Sequence, residues 1–165
     1  MKRGLVLGRF QPFHFGHLEL IKEMVKEEIE PLICIGSAQH SHTGENPFTA
    51  EERKEMIDVV MKNLNCKYNI FEIPDINNYD LYVSHLETFV PAFDCVYSGN
   101  PLVQRLFGNA GYEIIKLKMI NRAVWEGSAI RLAMKEDDDW ESAIPSQIVE
   151  IIHRIDGTER LKTLS

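Results

Sequence analysis

The chain of 165 residues is long enough for one ordinary domain and too short for two of full size. Its 44% hydrophobic and 26% charged residues exclude a disordered or fibrous chain. A formal charge of -7 excludes a broad basic face, and with it duplex nucleic acid or anionic lipid as a partner.

Taken in chain order, the first apolar run, Leu5-Val6-Leu7, predicts a strand. It stops at Gly8-Arg9, short of the ~7–15 apolar residues of a secretory signal. Leu18, Ile21, Met24 and Val25 then share one helical face opposite Lys22, Glu23, Lys26 and Glu27. Leu32 to Ile35 predicts a second strand. Thr49-Ala50-Glu51-Glu52 has the form of a capping box, in which hydroxyl and carboxylate satisfy free N–H groups reciprocally, and Met56, Ile57, Val60 and Met61 face inward along the helix that follows. Further strands are predicted at 68–73, 95–97 and 112–117. Asn100-Pro101 opens a helix through Phe107, and Pro145 opens another, with Ile148, Ile151, Ile152 and Ile155 at helical spacing.

Alternating strands and helices imply an α/β protein, a doubly wound parallel sheet of about five strands with helices on both faces, forming one domain over 1–165. In such sheets ligands bind beyond the carboxyl ends of the strands, here the segments 8–17, 36–47, 74–82, 98–101 and 121–131. No stretch approaches the ~20 apolar residues of a spanning helix. Cys34, Cys66 and Cys95 are too scattered for a disulfide framework or a paired-cysteine zinc site. The expected compartment is the reducing cytoplasm, with no membrane partner.

The first of these loops carries the strongest signal. Gly8-Arg9-Phe10-Gln11-Pro12-Phe13-His14-Phe15-Gly16-His17 runs from strand into helix, placing two imidazoles, a cation and a close-approach glycine where free N–H groups and the helix dipole favour an anion. Phosphate is the natural guest. His40 and His42 lack acidic or thiol partners at metal-ligand spacing and read as loop residues. The run Glu136-Asp137-Asp138-Asp139 reads as a solvated connection.

That loop resembles the first motif of the nucleotidylyltransferase superfamily with two histidines flanking a glycine, and its Arg-Phe-Gln-Pro form resembles the archaeal-type nicotinamide-nucleotide adenylyltransferases. Gly36-Ser37-Ala38-Gln39, Asn46-Pro47-Phe48-Thr49-Ala50 with Glu52-Arg53, Tyr97-Ser98-Gly99-Asn100-Pro101-Leu102-Val103 and Gly157-Thr158-Glu159-Arg160 extend the likeness over nearly the whole chain. The resemblance implies a Rossmann-like fold and transfer of the AMP part of ATP to the 5'-phosphate of nicotinamide mononucleotide, giving NAD and pyrophosphate without a covalent enzyme intermediate.

It also implies roles. Arg9, His14 and His17 are the expected catalytic residues. ATP is expected on Gly8, Arg9, Phe10, His14, Gly16 and His17, and on a second motif, Trp125-Glu126-Gly127-Ser128-Ala129-Ile130-Arg131, through Gly127, Ser128, Ile130 and Arg131. Glu126 replaces the family's first serine there and predicts weaker ATP binding, a carboxylate beside a triphosphate being repulsive. Nicotinamide mononucleotide is expected on Ser37, Ile76, Asn77, Asn78, Tyr82, Val83, Ser98, Gly99 and Asn100, with Tyr82 stacking on the pyridine ring and Asn77 or Asn78 on the carboxamide. Mg2+ is expected to arrive with ATP, held by phosphate oxygens and water rather than by protein ligands. The resemblance further implies a homo-oligomer, a hexamer. Alternatives are another adenylyl- or cytidylyltransferase of the superfamily, or a module that binds NAD or ATP without turnover.

Overall fold

The computed structural model describes residues 1–116 and 125–164. Five parallel strands, β1 (Arg3–Gly8), β2 (Glu30–Ile35), β3 (Asn69–Glu72), β4 (Cys95–Tyr97) and β5 (Glu113–Ile115), form one sheet in the order β3-β2-β1-β4-β5. The chain builds outward from β1 to β3 and then returns to the other side of β1. The strand order reverses between β1 and β4, and the crevice that ligands use in such sheets opens at that point. Strands were expected in these five places. Leu117, the last residue of the expected fifth strand, and 121–124 of the expected last loop lie outside the described residues.

Side chains of successive strand residues point to opposite faces, which divides the core in two. Val6, Ile33, Ile35, Cys95 and Tyr97 pack with the apolar stripes of α1 (Phe15–Lys26), α2 (Ala50–Met61), α5 (Gly127–Lys135) and α6 (Ser146–Arg154). Leu5, Leu32, Cys34 and Val96 point the other way, against Leu86 of α3 (Tyr79–Glu87) and Val103 and Phe107 of α4 (Pro101–Asn109). Leu5 stands opposite both Leu32 and Val96 in the ladder, so the register brings matching faces together across the three central strands. The longest of the described helices has 12 residues, and among the described residues no helix is long and apolar enough to cross a membrane.

Two helices depart from the sequence reading. The segment after β3 was expected to be loop through Tyr82, but α3 begins at Tyr79, with the Asn78 side chain capping it by accepting the Asp80 N–H. A final helix, α7 (Gly157–Thr163), packs on α5 and α6. Arg160 of α7 donates to both carboxylate oxygens of Glu52, at 2.7 and 2.9 Å, and to the Pro47 carbonyl at 3.0 Å. Glu52 is also the acid of the Thr49 capping box that the sequence predicts, so one ion pair fixes the C-terminal helix to the start of α2.

Among the described residues eight non-glycine residues have positive φ. Glu28, Asp137 and Asp156 follow the ends of α1, α5 and α6, where a left-handed residue commonly ends a helix, and Asn65 lies in the turn after α2. Phe10, Ser37, His42 and Asn77 lie in the loops after β1, β2 and β3. Strain of this kind costs about 1–3 kcal/mol per residue and persists where surrounding contacts enforce it. Three of these four line the clefts described next.

Candidate active site at the carboxyl end of the central strand

Two clefts meet at the end of β1. One, of about 410 Å3, lies between the first loop, α1, the start of α4 and the start of α5; the other, of about 520 Å3, lies between the loops after β2 and β3, α3 and α4. Leu7, Gly8, Arg9 and Asn100 line both. The junction is therefore the backbone at the end of the central strand, with the Arg9 guanidinium as its fixed cation.

In the first cleft His14 and His17 form the cap of α1 by themselves. His14 is the N-cap and its Nδ1 accepts the Gly16 N–H at 3.0 Å; His17, at the third helical position, accepts the His14 N–H on Nδ1 at 3.1 Å. This is the reciprocal geometry of a capping box made with two imidazoles. The rings stack with centroids 3.7 Å apart, and Phe10 and Phe13 pack on His17 at 4.6 and 5.3 Å. A β-carbon on residue 16 would lie 2.8 Å from His14 Cε1, so only glycine lets the ring lie over the backbone.

These bonds set the chemistry of the pair. With each Nδ1 accepting from a backbone N–H, the ring proton of the neutral form sits on Nε2. Burial, then the charge of Arg131, pushes the His14 pKa down to about 4. Burial, then His14, pushes His17 well below its ordinary value. Both rings are neutral Nε2–H donors at pH 7.

Gln11 joins this loop to the rest of the site. Its side chain donates to the Phe48 carbonyl at 2.9 Å and accepts the Phe48 N–H at 2.8 Å, while its own carbonyl accepts from Arg131 Nη1 at 3.0 Å. Arg131 is 9% exposed, and burial followed by repulsion from Arg9 lowers its pKa. Gly127 permits this placement, because a β-carbon there would lie 2.9 Å from Arg131 Nη1. The start of α5 carries no side-chain cap, since Ser128 Oγ donates to Glu126 Oε1 at 3.0 Å instead of capping a backbone N–H. Free N–H groups at a helix start, two arginines and two neutral imidazole donors suit a polyphosphate. Two carboxylates oppose it: Glu126 is the N-cap of α5, and Glu45 lies 3.9 Å from Arg9 Nη1.

Of the residues expected at ATP, Gly8, Arg9, Phe10, His14, Gly16, His17, Gly127 and Arg131 line this cleft together. Ile130 does not, being in the core at 2% exposure, and Ser128 is exposed with its hydroxyl on Glu126. Of those expected at the second substrate, Ser37, Ile76, Asn77, Asn78 and Tyr82 line the second cleft. Ser98 and Gly99 line the first, Asn100 lines both, and Val83 packs on the core beneath. Asn78 Oδ1 is committed to capping α3, which leaves Asn77 the freer carboxamide partner. Burial, then the charge of Asp75, raises the Tyr82 pKa, so its phenol stays neutral.

Two positioning residues carried no role in the sequence reading. Gln11 is one. Arg53 is the other, fully buried and donating to the carbonyls of Thr49 (3.1 Å), Arg9 (3.0 Å), Gly36 (2.9 Å), Ser37 (3.2 Å) and His40 (3.2 Å). Burial lowers its pKa to about 10, which still leaves it charged at neutral pH. It ties the loops after β1 and β2, one from each cleft, to the start of α2. A signal was present in the sequence: Arg53 precedes Met56 by three residues and Ile57 by four, so the helical period already placed it on the inward face.

The profile of the cytidylyltransferase-like family matches residues 5–153. The nicotinamide-nucleotide adenylyltransferase of Thermoplasma acidophilum is 48% identical over 166 residues, covering 99% of this chain and 92% of its own, and that of Archaeoglobus fulgidus is 45% identical over 169 residues, covering 99% and 97%. A solved bifunctional NMN adenylyltransferase/ADP ribose pyrophosphatase from Francisella tularensis, in complex with AMP and a Mn ion, superposes with a TM-score of 0.75 at 19% identity over 98% of this chain and 52% of that one. That likeness concerns the fold, a five-stranded Rossmann-like nucleotidyltransferase sheet. With a profile match over most of its length and near-full-length relatives at this identity, the chain belongs to the cytidylyltransferase-like family.

Proposed function

We infer that this chain is a nicotinamide-nucleotide adenylyltransferase, joining the AMP part of ATP to nicotinamide mononucleotide to give NAD and pyrophosphate. The observation that carries the reading is the meeting of two clefts at Arg9, the first furnished for a polyphosphate and the second with an aromatic ring and amides. The near-full-length relatives supply the identity of the substrates.

ATP occupies the first cleft and the mononucleotide the second, acting within a single domain over 1–165. A 5'-phosphate oxygen of the mononucleotide attacks the α-phosphorus of ATP in line. The new P–O bond forms as the bond to the β-phosphate bridge breaks, and pyrophosphate leaves with the electron pair. The substrate phosphate is the nucleophile, so the protein aligns the reactants and stabilises charge. His14 and His17 donate Nε2–H bonds to the phosphate oxygens as charge shifts, while Arg9 at the junction and Arg131 on the polyphosphate neutralise it. Gly127 and the free N–H groups of α5 cradle the terminal phosphates, and Gly8, Phe10 and Gly16 shape the donor cleft. On the acceptor side Tyr82 stacks on the pyridine ring, Asn77 meets the carboxamide, and Ser37, Ile76, Asn78, Asn100 and the neighbouring Ser98 and Gly99 enclose the nucleotide.

Among the described residues no group of three His, Cys, Asp or Glu side chains could hold a metal ion. Mg2+ is carried in by ATP on phosphate oxygens and water, and the ion, when bound, offsets part of the triphosphate charge. The reading includes a cytoplasmic homo-oligomer, a hexamer, measurable by sedimentation.

The test is direct: purified protein, Mg2+, ATP and nicotinamide mononucleotide, with NAD and pyrophosphate followed together and a chelator arm. Equimolar products that stop on chelation support the reading. Tight binding of both nucleotides without product would instead make the chain a nucleotide-binding module, and turnover only with a different acceptor phosphate would move it to another branch of the family.

A further inference from the structure

The acceptor cleft contains a charged group that phosphate chemistry and ring stacking leave unused. Asp75, just beyond β3, lines the cleft and is held from several directions. Ser37 Oγ donates to its Oδ2 at 2.6 Å, its N–H donates to Gln39 Oε1 at 2.9 Å, and its carbonyl accepts from Gln39 Nε2 at 3.1 Å. Ser37 is itself buried at φ 48, with its carbonyl held by Arg53. The carboxylate is thus oriented through a chain of contacts that ends on a buried arginine. Among the described residues no donor takes Oδ1; the half-exposed His40 lies 3.8 Å from Oδ2.

The other polar side chains lining this cleft are uncharged (Ser37, the asparagines and the tyrosines), except Arg9 at the junction with the donor cleft. The acceptor end therefore presents a net negative charge. A pyridine carboxamide and a pyridine carboxylate have nearly the same shape but opposite needs here: the amide N–H2 donates to a carboxylate oxygen, whereas an ionised acid offers only acceptors and a like charge.

We propose that Asp75 selects nicotinamide mononucleotide against nicotinic acid mononucleotide, accepting the carboxamide N–H on Oδ1 and repelling the carboxylate. The proposal rests on the adenylyltransferase reading above and names its discriminating residue. Specificity here is a difference between two affinities, obtained as much by repulsion of the wrong ligand as by attraction of the right one.

The experiment measures kcat/KM for both mononucleotides, with saturating ATP and Mg2+, for the wild-type chain and for Asp75→Asn. The wild-type chain should favour the amide, and Asp75→Asn should narrow the ratio by about tenfold or more, mainly through a lower KM for the acid, as expected when a like charge is removed from a confined site. A wild-type preference for the acid, or a ratio unchanged by the substitution, overturns the proposal. Equal losses with both substrates would place Asp75 on groups they share, such as ribose hydroxyls, and overturn it as well. Should Asp75→Asn not fold, Ser37→Ala keeps the carboxylate but frees its orientation and is judged by the same ratio. No dinucleotide from either substrate would sink the adenylyltransferase reading itself, whereas NAD formation with an unmoved ratio removes only the role of Asp75.

Discussion

His17 Nδ1 accepts the His14 N–H at 3.1 Å while the two rings stack 3.7 Å apart. The same pair therefore starts a helix and, in the proposed mechanism, presents two donors to the substrates, and each task constrains the other. Protonating either Nδ1 would break the cap and set a charge against Arg131 or the neighbouring ring.

Stability should accordingly fall in mild acid. Burial and the Arg131 charge push His14 down to about 4 in the folded chain, from an ordinary 6.5, so between those values the unfolded state holds more protons. The contribution is fully present above pH 6.5 and is lost as pH falls towards 4. Thermal melts from pH 7.5 to 4.5 on the wild-type chain and on His14→Gln should show a shallower acid loss in the variant; identical slopes would contradict a neutral buried His14.

His17→Ala should separate turnover from folding. Losing one positioned donor to the reacting phosphates costs about 10²–10³ in kcat, while losing half of a helix cap costs about 1 kcal/mol of stability. Kinetics and melting on the same preparation decide the matter, and near-normal turnover in a folded variant would remove His17 from the mechanism.

In the proposed mechanism Glu45 and Glu126 compete with ATP for Arg9 and for the start of α5. Both are exposed, so each is worth only a few tenths to about 1 kcal/mol. Glu126→Ser and Glu45→Gln should each lower the KM for ATP by about two- to fivefold, more at low salt than at high salt. An unchanged or raised KM in both variants would show that these carboxylates do not face the polyphosphate.

Gly127→Ala introduces a methyl group 2.9 Å from Arg131 Nη1. The guanidinium is the end of a flexible side chain and can swing away, so the fold should survive with a melting temperature close to wild type. Displacing it from Gln11 and the polyphosphate should lower kcat/KM for ATP by about tenfold or more, in the range seen when a substrate-positioning group is misplaced. Wild-type kinetics would show that Arg131 does not need this placement.

The parts of the molecule legible in the sequence are those in which local chemistry and tertiary role agree. The apolar runs of β1 and β2 are buried strands, the Thr49–Glu52 capping box forms as written, and Asn100-Pro101 starts α4. The first loop was legible because its histidines, arginine and glycine stand together where a strand runs into a helix, and the structure gathers all of them in one cleft. α3 escaped because Tyr79 and Leu81 are exposed and Leu86 is its one fully buried residue, leaving little apolar periodicity, while Asn77-Asn78 imitates a turn. Ser128, expected at ATP, gives its hydroxyl to Glu126 instead. Gln11 escaped for another reason: its three hydrogen bonds reach two residues 37 and 120 positions away, and no local pattern specifies contacts that distant.

The division of the clefts about β1 also separates their linings along the chain. The first cleft is lined by the first loop, α1 and the starts of α4 and α5, whereas the second is lined by the loop after β2, by α4 and by the residues between β3 and the start of α3. Only the end of β1 and Asn100 belong to both. On the proposed reading, substitutions in the mostly exposed segment 75–82 change the acceptor side of the site without touching the first loop, α1 or α5, so specificity for the acceptor can shift while the donor cleft keeps its lining.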